Sequence, residues 1–98
     1  MEYEQRKKVY LEAQERWGDD SQILVAIEEF GELITVLAKR NRNLNGSTED
    51  EICSEIADAR VMLEHLELIF DKEKINEHLC DKVARLQSWF EKVDRMIE

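Results

Sequence analysis

The sequence predicts an all-α protein with one domain. Its 98 residues include three glycines and no proline, and leucine, isoleucine, glutamate, lysine and arginine dominate. Apolar residues recur three and four positions apart, whereas the alternation typical of strands is absent. A chain of this length forms one domain with a modest core. We expect four helices, at about residues 3–17, 21–41, 49–70 and 73–97, packed as a bundle.

The first two helices are separated by a glycine. Gly18 suits the position just past a helix end, and Asp20 or Ser21 can cap the helix that follows. The second helix carries an apolar stripe at spacings of 4, 3, 4 and 3, so we expect this face to be buried. The stripe consists of Ile23, Ile27, Phe30, Ile34 and Leu37.

The last two helices also have clear apolar stripes. Thr48, followed three residues later by Glu51, predicts a capping box at the start of the third helix. The stripe of that helix consists of Ile52, Ile56, Ala59, Leu63, Leu66 and Phe70. The fourth helix has nearly a heptad repeat, which indicates packing in a bundle or against a second chain. Its members are Ile75, Leu79, Val83, Leu86, Phe90, Val93 and Ile97.

Charge and composition exclude several classes of partner. The formal net charge is −9, and an acidic chain repels nucleic acid and lacks a polybasic membrane signal. No apolar run is long enough for a signal peptide or a membrane span. We therefore expect a cytoplasmic protein with no nucleic-acid or membrane partner. Cys53 and Cys80 form no zinc-type motif, and we expect both to be reduced thiols that lie in the core or are semi-buried.

Two pairs of acids lie at the edges of the apolar stripes of the second and third helices. Glu29 and Glu32 are three residues apart, as are Glu55 and Asp58. At about 100° per residue, both acids of a pair lie on one helix face, roughly 5–6 Å apart. Consecutive helices joined by a short loop are normally antiparallel neighbours, which brings the four carboxylates together. They cannot all stay ionised without a cation, and their hard oxygen atoms suit Mg²⁺ or Mn²⁺.

Each of four further residues has either a role in a functional site or an ordinary structural role. Glu28, four residues before Glu32, is either an extra ligand or base for an attacking water, or an ordinary solvated acid. Lys39 and Arg42 either contact phosphate groups of a substrate or interact with the C-terminal end of the helix dipole. Trp17 either stacks on a substrate or packs against the next helix.

The segments around the acid pairs extend the pattern. Residues 26–33 read AIEEFGEL, residues 54–59 read SEIADA and residues 61–66 read VMLEHL. The arrangement ExxE, a gap and ExxD, with these flanks, resembles the all-α nucleotide pyrophosphohydrolase superfamily of MazG and the dimeric dUTPases. From Trp17 onwards, the chain is most similar to the short, single-domain MazG-like proteins that are common in bacteria and their phages.

The resemblance implies an activity, a metal and an assembly. The expected reaction hydrolyses a nucleoside triphosphate to the monophosphate and pyrophosphate, which clears unwanted nucleotides. Glu29, Glu32, Glu55 and Asp58 are implied to bind Mg²⁺, with Mn²⁺ as an alternative. The superfamily implies a homodimer or homotetramer. Arg60 departs from the superfamily pattern, in which an apolar or acidic residue is commoner, and we expect it to be a surface or interface charge.

Two other classes of protein compete with this interpretation. Ferritin-like di-iron proteins use Glu-x-x-His motifs, but Met62 and Ile75 stand three residues before His65 and His78. The sequence therefore disfavours a di-iron site. The other alternative is a non-catalytic helical interaction or oligomerisation module whose acids are merely solvated. Such a module is expected to gain no thermal stability from Mg²⁺.

Overall fold

The computed structural model describes residues 1–41 and 46–97. Within these ranges the protein has four helices and no strand, which confirms the predicted all-α class. The helices are α1 (Tyr3–Trp17), α2 (Asp19–Asn41), α3 (Glu49–Ile69) and α4 (Lys72–Ile97). Their boundaries differ from the expected ones by at most two residues.

Gly18 ends α1 and turns the chain directly into α2. Its φ of 84° lies in the left-handed region that favours glycine. Its N–H donates to the Gln14 carbonyl at 2.8 Å, and its own carbonyl accepts from the Gln22 N–H at 3.3 Å. Because the carbonyl of Gly18 receives the first bond of α2, the helix starts at Asp19, two residues before the expected position. Asp19 and Asp20 then lie in the first turn, where the helix dipole favours acids.

Side-chain caps set the starts of the other two helices. Thr48 Oγ1 accepts from the Glu51 N–H at 3.2 Å, and Glu51 Oε1 accepts from the Thr48 N–H at 3.4 Å. This is the expected capping box. Asp71 Oδ1 accepts from the Lys74 N–H at 3.2 Å at the start of α4. Each cap satisfies N–H groups that have no partner within the helix.

The most extensive contact is between α2 and α3, and α1 packs against both. The end of α2 lies beside the start of α3, since Gly46 approaches Lys39, so the two helices are antiparallel. The buried apolar side chains of the described residues are Tyr10, Ala26, Ala59 and Met62. This core is small for 98 residues, and much apolar surface stays exposed.

A hydrogen-bond network attaches α1 to α3. Arg6 donates to both carboxylate oxygens of Glu64, at 3.0 and 3.1 Å, and the Tyr10 hydroxyl donates to Glu64 at 2.8 Å. Hydrogen bonds from Arg6, aided by those from Tyr10, hold the pKa of Glu64 below its usual range. The Tyr10 ring also packs on buried His65, with centroids 4.3 Å apart. Arg60 is exposed, as expected, and lies 3.7 Å from Glu64.

The packed faces of α2 and α3 match the expected apolar stripes only in part. Ile27 and Ile34, which we expected to be buried, are 62% and 67% exposed, and Ile56 and Leu63 are also exposed. The buried and half-buried residues include one row on each helix: Gln22, Ala26, Glu29, Leu33 and Val36 on α2, and Ile52, Glu55, Ala59, Met62 and Leu66 on α3. Ile52, Ala59 and Leu66 are members of the expected stripe of α3, whereas no member of the expected α2 stripe is in the α2 row. Each row contains an acid, so these acids lie inside the contact rather than at its edge.

Helix α4 projects from the other three helices. No residue from Lys72 to Ile97 is buried, and α4 makes few contacts with other helices. One of these contacts is at its first residue, where Lys72 Nζ donates to the Tyr3 hydroxyl at 3.1 Å. The radius of gyration is 17.6 Å, against about 13 Å for a compact domain of 100 residues. The heptad-like stripe of α4 therefore has no partner within the described chain.

Two findings bear on expectations that came from composition. Within residues 1–41 and 46–97, no helix combines the length and apolarity needed to span a bilayer. Cys53 and Cys80 are free thiols, but both are exposed, so the expected core or semi-buried position is wrong. Cys80 is exposed because α4 lacks a partner in the single chain, and Cys53 lies on the outer side of α3.

Candidate metal centre

Three carboxylates meet where α2 packs against α3. One oxygen atom from each of Glu29, Glu32 and Glu55 lies within 4.8 Å of the other two. Glu29 and Glu55 are half-buried members of the packed rows, whereas Glu32 is exposed, one turn further along α2. The three-residue spacing on α2 thus places both of its acids beside an acid of α3.

Asp58 lies next to this group on α3. It is exposed and is not one of the three clustered acids. Its charge nevertheless acts on the cluster, because it contributes to the raised pKa of both Glu29 and Glu55. All four acids named from the sequence therefore influence one region of the surface.

Burial and mutual repulsion raise the pKa of two of these carboxyl groups. Burial is the largest cause for Glu29, followed by the charges of Glu32, Asp58 and Glu55. Burial is also the largest cause for Glu55, followed by the charges of Glu32 and Asp58. Both shifts follow from removing negative oxygens from water and placing them near other negative groups. Without a cation, the folded chain therefore holds protons on these groups more tightly than usual.

Two buried oxygen atoms in the cluster lack a partner. Oε2 of Glu29 and Oε2 of Glu55 are shielded from solvent and find no hydrogen-bond donor among the described residues. Buried polar atoms normally have such a partner, so each of these needs an explanation. A bound cation would satisfy both oxygens and relieve the repulsion between the carboxylates.

The type of donor atom fits a hard divalent cation. Among the described residues, the group contains only carboxylates and no histidine or cysteine. Oxygen ligands suit Mg²⁺ and Mn²⁺, whereas zinc sites usually include nitrogen or sulfur. Glu29, Glu32 and Glu55 therefore fit Mg²⁺ or Mn²⁺ as direct ligands, and Asp58 is close enough to add charge.

An open groove of about 550 Å³ runs beside the acids. Its volume falls in the range of small-molecule sites. The groove is lined by Glu28, Gly31, Glu32, Thr35, Val36 and Glu55. A Cβ atom at Gly31 would meet no described atom within 4 Å, so the packing of the chain itself does not require glycine there. The absence of a side chain at Gly31 keeps the groove open beside the acids.

The sequence does not single out three of these lining residues. Gly31, Thr35 and Val36 lie three or four positions from Glu28 or Glu32, so helical spacing places them on the face that carries those acids. This helical spacing is the sequence signal that could have identified them. It becomes informative only when the position of α3 shows that this face borders a groove.

The other candidate residues lie outside the cluster. Glu28 lines the groove but is exposed and is not one of the three clustered acids. Lys39 is exposed near the end of α2. Trp17 is 64% exposed, so most of its side chain is uncovered. Arg42 lies outside the described residues.

Comparisons of the chain with protein-family models, with curated proteins and with solved structures found no match. The resemblance to the MazG-like superfamily therefore rests on the acid motif and its flanks. The function has to be inferred from the chemistry of the site.

Replacement of Glu28 tests its role separately from the three clustered acids. We expect Glu28→Gln to keep the rise in melting temperature caused by millimolar Mg²⁺, because Glu28 lies outside the cluster and, unlike Asp58, does not contribute to the raised pKa of Glu29 or Glu55. Glu29→Gln is the matched variant on the neighbouring position, and we expect it to lose most of that rise. Thermal unfolding with and without Mg²⁺ measures both. A Glu28→Gln protein that no longer responds to Mg²⁺ would instead make Glu28 a metal ligand.

Proposed function

We propose that this chain is a Mg²⁺-dependent nucleotide pyrophosphohydrolase that converts a nucleoside triphosphate to the monophosphate and pyrophosphate. The observation that carries the proposal is the group of Glu29, Glu32 and Glu55 within 4.8 Å, with two buried oxygens that lack a partner. The resemblance of the acid motif to the MazG-like superfamily supports a nucleotide as the substrate. The biological role that fits best is the clearance of unwanted nucleotides.

The net charge explains why such a reaction needs a cation. The chain has a formal net charge of −9, and carboxylates border the groove, so a triphosphate alone is repelled. When bound, Mg²⁺ neutralises charge on the phosphate oxygens and lowers the pKa of the attacking water. Glu29, Glu32 and Glu55 would hold the cation at the groove, and Asp58 would add negative charge beside it. Because carboxylates are ligands in their ionised form, the raised pKa of Glu29 and of Glu55 would make protons compete with the cation for these two groups.

Other residues are proposed to position the substrate. Gly31 leaves room for a ligand to approach the helix backbone. Lys39 lies seven residues after Glu32, two turns along the same face and about 10 Å away along the axis, where its long side chain can reach a phosphate group. Glu28 borders the groove as a candidate base for water. Trp17 is exposed and free to stack on a base.

The active form is proposed to be a homodimer or a homotetramer. Exposed apolar residues on α2, such as Ile27 and Ile34, support association, as does the exposed stripe of α4. Large exposed apolar surfaces on a small protein mark sites of interaction.

Pyrophosphate release from a panel of canonical and modified nucleoside and deoxynucleoside triphosphates tests the proposed reaction. We expect release from some substrates with Mg²⁺ and none when the cation is removed by a chelator. Detection of pyrophosphate, rather than orthophosphate, separates this activity from that of a phosphatase.

A negative result in this panel would favour the second candidate function. If no substrate releases pyrophosphate, and neither Mg²⁺ nor Mn²⁺ raises the melting temperature, the acids form a solvated face. The protein is then a non-catalytic helical interaction module. The observation that favours this alternative is α4, which presents a long apolar stripe and no buried residue.

A further inference from the structure

Helix α4 carries an apolar face that nothing in the described chain covers. Leu86, near its middle, is 53% exposed, and the neighbouring members of the stripe are similarly accessible. The stripe in the second half of the helix consists of Leu79, Val83, Leu86, Phe90, Val93 and Ile97, and exposed Trp89 and Met96 widen it. We propose that this face binds α4 of a second copy of the chain, with the two helices antiparallel.

The spacing of the stripe suits an antiparallel pair. Its members are separated by 4, 3, 4, 3 and 4 residues, a pattern that is identical when read in reverse. A two-fold axis near Ser88 therefore places Leu79 opposite Ile97 of the second copy, Val83 opposite Val93, and Leu86 opposite Phe90. Every such layer is apolar, and each helix uses the same face, as a two-fold interface requires. The two Trp89 side chains meet close to the axis.

The polar residues of α4 disfavour the parallel arrangement. The heptad that contains Val83 and Leu79 extends back to Asn76 and Lys72. A parallel pair places each of these residues against its own copy, so two lysine charges meet in the seam. In the antiparallel arrangement centred near Ser88, Asn76 and Lys72 lie beyond the end of the second copy's stripe and stay in water.

The distribution of charge also favours opposite directions. Residues 1–71 contain eight basic and 17 acidic side chains, a net charge of −9, whereas α4 has six basic and five acidic side chains. A parallel pair places the two acidic segments, residues 1–71 of each copy, side by side. An antiparallel pair places them at opposite ends of helices that are about 39 Å long. This separation is several Debye lengths at physiological salt.

The surface available is large enough for a specific interface. Burying a large aliphatic side chain removes roughly 60–120 Å² of apolar surface from water. Seven or eight such side chains on each copy therefore bury on the order of 1,000 Å² or more in total, which reaches the size expected of a specific interface.

A charge placed in the stripe tests whether α4 forms this interface. We expect Leu86→Glu to halve the mass of the wild-type assembly in light scattering at micromolar concentrations. Ser88→Glu is the matched control on the polar face, and we expect it to keep the wild-type mass. Circular dichroism should be the same for both variants, because Leu86 is exposed in the single chain. A monomeric wild type, or an unchanged mass for Leu86→Glu, would show that α4 does not pair.

Distances between spin labels test the direction of the helices. Each label is attached to one cysteine, Glu77→Cys or Ser88→Cys, in a chain whose natural Cys53 and Cys80 are replaced by serine. Glu77 is 11 residues from the proposed axis, so its two labels lie about 33 Å apart along an antiparallel pair. A label at Ser88 gives a shorter distance in either arrangement and serves as the control. Equal, short distances at both positions would rule out the antiparallel pair, and neither measurement depends on catalytic activity.

Discussion

Glu32→Gln and Asp58→Asn should each lower Mg²⁺-dependent pyrophosphate release by about 100-fold or more. Both substitutions keep the size of the side chain and remove its negative charge. The proposed site needs these charges to hold a cation against a substrate that is itself highly charged. Rates measured with the best substrate of the panel, at saturating Mg²⁺, provide the test. A variant that retains more than about a tenth of the wild-type rate would exclude its residue from the metal site.

The same two variants should be more stable than the wild type when no cation is present. Burial is the largest cause of the raised pKa of Glu29 and Glu55, and the charges of Glu32 and Asp58 are the next largest. Removing either charge therefore relieves repulsion. We expect the melting temperature of the metal-free protein to rise by a few degrees and its response to Mg²⁺ to be lost. Glu91→Gln, on exposed α4, is the control and should change neither property. A higher melting temperature without a cation, together with a lost response to Mg²⁺, distinguishes loss of the metal site from damage to the fold.

The stabilisation by Mg²⁺ should also depend on pH in a defined direction. A carboxyl group whose pKa is raised in the folded state stabilises the protein at low pH, and this contribution is lost as the pH rises through the raised value. Glu29 and Glu55 both behave in this way without a cation. Because Mg²⁺ binds the ionised carboxylates, the rise in melting temperature that it causes should increase as the pH rises through the raised pKa of these two groups. A response that is independent of pH would mean that Mg²⁺ binds elsewhere.

The second large effect is expected at the junction between α1 and α3. Glu64→Gln should destabilise the protein by about 2 kcal/mol, which lowers the melting temperature by roughly 10 °C. Glu64 is the shared acceptor for Arg6 and Tyr10, and its side chain is only 13% exposed. The glutamine keeps one carbonyl oxygen but leaves the Arg6 guanidinium without its ionic partner. Thermal or urea unfolding of the metal-free protein measures the difference.

A neighbouring acid provides the matched control for this variant. Glu67 lies on the same helix, 4.0 Å from Lys72 in a looser pair, so Glu67→Gln should cost less than about 0.5 kcal/mol. The pKa of Glu64 is lowered in the folded state, so its contribution is present above the usual range of a glutamate and is lost as the pH falls through the lowered value. The wild type and Glu64→Gln should therefore converge in stability at acid pH. Equal stability of the two at neutral pH would show that the network does not hold α1 in place.

Local sequence signals predicted the helices well. Gly18 ends α1, and Thr48 with Glu51 starts α3, because each of these effects depends on residues within one turn of the chain. The three-residue spacing of Glu29 and Glu32 likewise puts both acids on one side of α2 wherever that helix packs. These features required no knowledge of the other helices.

The packed faces could not be predicted in the same way. The expected stripe of α2 counted large apolar residues such as Ile27 and Ile34, yet α2 turns small Ala26 towards the core, as α3 does with Ala59. Small residues let two helices approach closely, and this gain depends on the shape of both surfaces at once. The network of Arg6, Tyr10 and Glu64 was missed for a similar reason, since Glu64 lies more than 50 positions from both Arg6 and Tyr10.

The sequence by itself determined four helices, their ends and the pairing of acids on α2 and on α3, since short-range spacing and capping control all of these. Only the tertiary structure decided that Glu29 and Glu55 lie inside the contact between the two helices and that two of their oxygens are buried without a partner. It also decided that α4 buries no residue. The physical reason is that burial depends on which surfaces fit together, and that fit involves side chains far apart in the chain.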